Sequence, residues 1–418
     1  MKTVYLIISL LFSKFSFEQD IKVQLNKALD NLEKDSQFTH AIISMYVADS
    51  KTGKPVYERN SRIGLVPASC QKIVTSCAAF ELLEKDYTYK TVVKMSGGPD
   101  SIHLFIVGSG DPTIGSWRWP QTEMAMIYKN ILTALKRKNI TVLGCDISIL
   151  ENRFTYQPIP DGWVWQDIGN YYGAGARAFN WHENQYDIIL SSGNKEGDQT
   201  VIRSIEPPSA EIPVLNLITT GKTGSGDNAY IYAAPYSNST FTTGTIPPAR
   251  SKFPVSGSMP DPSIVFSRGL KSSLNANGIS ISTGSNPNFL LKPGERMDSF
   301  ETIHTINSPS LDSINYWFLK KSVNLYGEAF VKTIAYEKKG TGSTDTGVSV
   351  IRDLWSKNGI DRSALKIIDG SGLSPANRVT TEALVKIMQF AKDRYWFASF
   401  YNALPEINAE DKSKGEKF

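Results

Sequence analysis

The sequence predicts an α/β protein made of one discontinuous domain, residues 20–87 plus 289–418, interrupted by a mostly β region of one or two subdomains over 88–288. Three observations predict it. Ser69 and Lys72, three apart, open an apolar stretch with helical character. A second hydroxyl and amide, Ser322 and Asn324, begin 250 positions after Lys72. Both pairs suit a single nucleophilic site, so the chain must leave the first unit and come back to it. The texture between them agrees: from about 185 to 285 short apolar runs alternate with Gly, Pro and Ser turns, and helical periodicity returns after Leu311.

Met1-Lys2, the apolar run Val4–Phe12 and Ser13-Lys14-Phe15-Ser16 read as an export signal over residues 1–19. The run is too short to span a bilayer, and no cysteine follows it to carry a lipid anchor. A buried N-terminal strand is the alternative for these residues. Ile21 to Leu32 repeats apolar residues at the spacing of an amphipathic helix. His40–Ala48 and Pro55–Glu58 form a hairpin whose turn holds Lys51-Thr52-Gly53, and a helix follows from about Ser69 to Leu83. Lys90–Met95 and Ser101–Val107 alternate as strands around Gly97-Gly98-Pro99-Asp100. Glu123–Arg137 is a helix, Thr141–Leu150 a strand and Pro262–Leu274 a helix. Helices follow at Leu311–Lys320, Leu325–Tyr336, Gly347–Lys357 and Thr381–Asp393, and Leu365–Ile368 is a strand before the turn Asp369-Gly370-Ser371-Gly372.

Composition narrows the function. The 418 residues suit two or three domains, and a net charge of +4 without basic runs among aromatics gives no case for a nucleic-acid partner. Cys70 and Cys77 are about 10 Å apart along one helix, beyond disulfide reach. Cys70 is expected as a small packing residue turned off the Ser69–Lys72 face, and Cys145 has no assignable partner. His40, His103, His182 and His304 lack ligand spacing, so neither a metal site nor a cofactor is expected.

Residues three apart on a helix are neighbours, so Lys72 can take a proton from Ser69 where apolar packing weakens the lysine's hold on its charge. The helix N-terminus also aims free N–H groups at whatever the serine attacks. Ser322 and Asn324 can face the same cavity, the serine relaying a proton and the asparagine holding a substrate amide. Ser322 fits a helix N-cap equally well.

Pro67-Ala68-Ser69 through Lys72, Lys321-Ser322-Val323-Asn324-Leu325 and Asp369-Gly370-Ser371-Gly372-Leu373-Ser374 resemble class C low-molecular-mass penicillin-binding proteins. Gly108-Ser109-Gly110-Asp111-Pro112-Thr113 and Trp163 through Ala174 extend the resemblance, which runs from about 21 to 405. It implies a penicillin-binding, serine beta-lactamase-like domain with D-alanyl-D-alanine carboxypeptidase/endopeptidase activity on peptidoglycan stem peptides. It further implies an exported, periplasmic or envelope-associated protein without an integral membrane span, and covalent inhibition by beta-lactams. Ser69, Lys72, Ser322 and Asn324 match catalytic positions. Asp167 and Tyr172 match positions that hold the side-chain amino group of diaminopimelate, and a capping aspartate in a structural loop is the alternative there. Some members of the family have an arginine where Pro375 stands.

The family's third motif, Lys-Thr-Gly or Lys-Ser-Gly after the Ser–x–Asn loop, is not found after Ser322. Lys51-Thr52-Gly53 and Lys222-Thr223-Gly224 have the right letters at the wrong places, and the segment after Pro405 is charged and without alternation. A second expectation therefore stands beside the first: a truncated, weakly active or non-catalytic envelope relative that keeps the cleft.

Overall fold

The computed structural model describes residues 21–98, 102–144, 147–281 and 300–406. The export signal, Cys145 and the charged segment after Glu406 lie outside the described residues. Among the described residues, no helix is long and apolar enough to cross a membrane.

The Gln71–Leu83 helix is the axis of the first core. Ten of its residues are buried, because Val74, Cys77, Ala78 and Phe80 present apolar surface on nearly every side. It ends at Glu84, whose φ of 70° breaks the helical path. Helices Leu311–Lys320, Asn324–Lys339 and Thr381–Lys392 pack around it. Phe80, Leu311, Phe330, Trp355 and Phe400 fill the space between them, and each large side chain buried in this way is worth roughly 1.5–3 kcal/mol. Met45–Ala48 and Pro55–Arg59 form the expected hairpin, closed through Asp49–Lys54, and helix Thr381–Lys392 lies against its first strand.

A second core draws on residues between Val93 and Ile306. Strands pair in the order Glu301–Asn307, Lys90–Ser96, His103–Val107 and Ser148–Leu150, the first two contacts antiparallel and the last parallel. Phe253–Ser258, Gln185–Ser191 and Val201–Glu206 form a second, antiparallel sheet. Helices Met124–Arg137 and Pro262–Ala276 cover the apolar faces, and Val93, Leu104, Phe179, Trp181, Ile188 and Phe266 join one cluster. Trp119 and Ala176, from the stretch that supplies most of the second core, are buried in the first.

The structure departs from the sequence reading at several points. Thr141–Leu150 is two strands, since Val142–Leu143 pairs with Ser280–Ile281 while Ser148–Leu150 pairs with His103–Val107. Strand Glu301–Asn307, which the sequence reading did not single out, hydrogen-bonds antiparallel to Lys90–Ser96. The strand expected over Leu365–Ile368 is only Leu365–Lys366, paired with Arg378–Val379. A helix at Phe397–Ala403 was not expected. Cys70 is exposed, not packed, because the turn Ala68–Cys70 in which it lies buries none of its residues.

Candidate active site

Ser69 lies in a 3-10 turn, Ala68–Cys70, that leads directly into the Gln71–Leu83 helix. Ala68 holds this turn in a left-handed conformation, φ 45°, and Ser322 across the cleft has φ 55°. Such backbone in non-glycine residues costs about 1–3 kcal/mol each and persists only where packing enforces it. The enforcing contact at Ala68 is Gly372, where a Cβ would meet the Ala68 carbonyl oxygen at 1.9 Å. Only glycine lets the 369–374 loop close behind the serine.

The four residues expected at the centre come together. Ser69 Oγ is 3.0 Å from Ser322 Oγ, and Lys72 Nζ donates to Ser69 Oγ at 3.2 Å. Lys72 Nζ also donates to Asn324 Oδ1 at 2.7 Å and to the Ser371 carbonyl at 2.8 Å. Burial pulls the Lys72 ammonium down to about 8, against the opposing charges of Glu328 and Asp369. Once neutral, the amine keeps two hydrogens for its two carbonyl acceptors and turns its lone pair to Ser69. Asn324 is engaged at both ends, because Nδ2 donates to the Tyr172 carbonyl at 2.8 Å. That bond takes one of the two Nδ2 hydrogens.

Asn324 opens the Asn324–Lys339 helix, and residues further along it organise the rest of the site. Tyr326 donates to Glu183 at 2.6 Å. Glu328, fully buried, accepts from Gly370 N at 3.1 Å and from Ser371 N at 2.9 Å, fixing the strand of backbone whose carbonyl holds Lys72. Burial and the nearby Asp369 push the Glu328 carboxyl up to about 8. Lys332 donates to the Gln157 and Ala176 carbonyls at 2.7 and 2.9 Å, tying the helix to the insert. Asp369 in turn accepts from Trp163 Nε1 at 2.9 Å and from Ser374 N at 2.6 Å. The turn at 369–372 is therefore a support for Lys72, a role that its local sequence did not reveal.

A cavity of about 320 Å³ adjoins Ser69, lined also by Tyr172, Ser322, Asn324, Lys321, Arg118 and Glu183. Tyr172 reaches it directly. Asp167 is not in its wall but lies beside Tyr172, within hydrogen-bonding reach of the phenol. Desolvation raises Asp167 above the usual carboxylate range, and desolvation with the Asp167 charge pushes Tyr172 up to about 12. Lys51-Thr52-Gly53 lies in the hairpin turn and Lys222-Thr223-Gly224 in an exposed loop, and neither lines the cavity. Among the described residues, no group of three or more His, Cys, Asp or Glu is placed to hold a metal ion. Arg118 and Glu183 were not singled out in the sequence, since nothing in their spacing from Ser69 announces the contact.

Residues 25–409 match the D-Ala-D-Ala carboxypeptidase 3 (S13) family. The chain is similar to a D-alanyl-D-alanine carboxypeptidase of an Actinomadura species (strain R39), 26% identical over 94% of this chain and 72% of that protein. It is also similar to the D-alanyl-D-alanine carboxypeptidase DacB of Haemophilus influenzae, 20% identical over 80% of this chain and 68% of the relative. Among solved structures, penicillin binding protein 4 of Haemophilus influenzae superposes with a TM-score of 0.70 at 17% identity, covering 86% of this chain and 77% of that one. That likeness is one of fold.

Proposed function

Because the chain belongs to the D-Ala-D-Ala carboxypeptidase 3 (S13) family of serine-type peptidases, we propose that Ser69 is the nucleophile through which it cleaves D-alanyl-D-alanine peptides. The observation that carries this is the convergence of Ser69, Lys72, Ser322 and Asn324 from segments 250 positions apart into one hydrogen-bonded cluster. Lys72 Nζ takes the Ser69 proton as Oγ attacks the D-Ala carbonyl carbon. The oxyanion forms beside the N–H groups of the first helical turn. As the peptide C–N bond breaks, Ser322 passes a proton to the departing amine and is itself resupplied from Lys72. Water then enters, is deprotonated by the same lysine and releases the acyl group from Ser69.

Asn324 holds the amide on the acyl side through its remaining Nδ2 hydrogen, and Tyr172 with Asp167 forms the wall against that part of the substrate. A departing D-alanine makes the reaction a carboxypeptidase step, and a departing cross-link amine makes it an endopeptidase step. A beta-lactam offers Ser69 an amide carbonyl in the same place, strained by its four-membered ring. Peptidoglycan stem peptides lie outside the cytoplasm, so the chain acts after export, in the periplasm or envelope. We place the boundary between the peptidase unit and its insert at 87–90 on the way out and, given the pairing of Glu301–Asn307, near 308 on the return.

The direct test is release of D-alanine from an N-acylated peptide ending in D-alanyl-D-alanine. The wild-type chain is expected to release it, and Ser69→Ala to lose at least about a thousandfold in rate. Equal rates in the two proteins would exclude Ser69.

A further inference from the structure

We propose that Arg118, in the wall of the Ser69 cavity, recognises a carboxylate on the acyl side of the peptide substrate. The proposal rests on the reading of Ser69 and Asn324 given above, which sets the acyl side of the substrate toward Asn324 and Tyr172.

Arg118 comes from the insert and is held by contacts that a surface arginine lacks. Glu183 is 5% exposed, and its carboxylate is saturated with donors. Oε1 accepts from Ser116 Oγ at 2.6 Å, Arg118 Nε at 2.8 Å and Tyr326 OH at 2.6 Å. Oε2 accepts from Arg118 Nη2 at 3.2 Å. Two indoles flank the guanidinium, Trp317 with its ring centroid 4.8 Å from Cζ and Trp117 at 5.4 Å. The guanidinium is thus held by the Glu183 carboxylate along one edge and packed against two aromatic rings.

A guanidinium has five N–H groups, and Glu183 uses two of them. Glu183 does not use Nη1, so an outer fork of N–H groups remains for a ligand, beside the Tyr326 side chain. Parallel N–H groups in that spacing match the two oxygens of a carboxylate. Charge points the same way. Arg118 and Glu183 cancel, Lys321 adds a positive charge at the rim, and Glu183 is the only carboxylate in the described wall. Ser69, Asn324, Tyr172 and Arg118 line one cavity, so the upstream residues of a peptide acylating Ser69 can reach this fork.

Arg118 paired with Glu183 is also a sound structural ion pair, and selectivity separates the two roles. Two peptides ending in D-alanyl-D-alanine are compared, identical except that an upstream side-chain carboxylate is free in one and a primary amide in the other. Binding is measured by calorimetry on the Ser69→Ala protein, so the result does not depend on turnover. The free acid is expected to bind about 10- to 100-fold more tightly, the worth of a charge-assisted hydrogen bond. Adding Arg118→Gln removes the preference, while Arg118→Lys, with a charge but no fork, keeps part of it. Equal binding of the two peptides, or a preference that survives Arg118→Gln in protein folded by circular dichroism, overturns the proposal. Failure of Ser69 itself is read separately, as no D-alanine release from the wild-type chain.

Discussion

Lys72 spends three ammonium hydrogens on Ser69 Oγ, Asn324 Oδ1 and the Ser371 carbonyl, and burial draws its pKa down to about 8. Only the neutral amine can accept the serine proton, and the neutral fraction grows as pH rises through that value. Acylation of Ser69 is therefore expected to climb about tenfold per pH unit below 8 and to level off above it, as measured by stopped-flow with a chromogenic beta-lactam. A rate flat from pH 6 to 9 would remove Lys72 as the base. The contact of Ser69 with Lys72 was legible in the sequence because residues three apart at a helix start are neighbours. Glu328 was not, because what it holds, the backbone at Gly370 and Ser371, lies more than forty residues further on.

At the scale of elements, the site is a turn, a loop and a helix clamped together. Helix Asn324–Lys339 reaches the base through Asn324, the insert through Tyr326 and Lys332, and the 369–372 loop through Glu328. The loop closes on the serine's turn at Gly372, whose φ of +87° and 1.9 Å approach to Ala68 leave no room for a side chain. Gly372→Ala is expected to destabilise the protein by about 1–3 kcal/mol and to slow acylation more than tenfold, since the turn must shift to accommodate the methyl group. Thermal unfolding and acylation kinetics check the two parts, and an unchanged rate would mean that the loop does not position Ser69. Helices were the most legible elements, because burial on one face imposes their period on the sequence. Strand Glu301–Asn307 was not legible. Its burial pattern lacks a clean alternation, and its place is set by a partner strand some two hundred residues earlier. Thr141–Leu150 misled for the same reason, as one run of strand-forming residues serves two sheets.

For the whole molecule, the spacing of the two motifs told only that segments 250 positions apart would have to meet, and they do. It could not show how firmly the insert is joined to the peptidase unit. Trp163 bonds Asp369, Lys332 reaches the Gln157 and Ala176 carbonyls, and Tyr326 and Arg118 meet on Glu183, so the insert forms part of the wall around Ser69. These ties join residues far apart in sequence through single polar atoms, which leave no period to detect. The central claim is that this assembly, in the chain as it stands, makes Ser69 a nucleophile. Intact and peptide-mapped mass spectrometry after incubation with benzylpenicillin tests it most directly, with Ser69→Ala as the control. The account predicts one covalent adduct, on the peptide that contains Ser69, and none in the Ser69→Ala protein. No adduct on protein shown to be folded by circular dichroism, or an adduct at another residue that persists in Ser69→Ala, would contradict it.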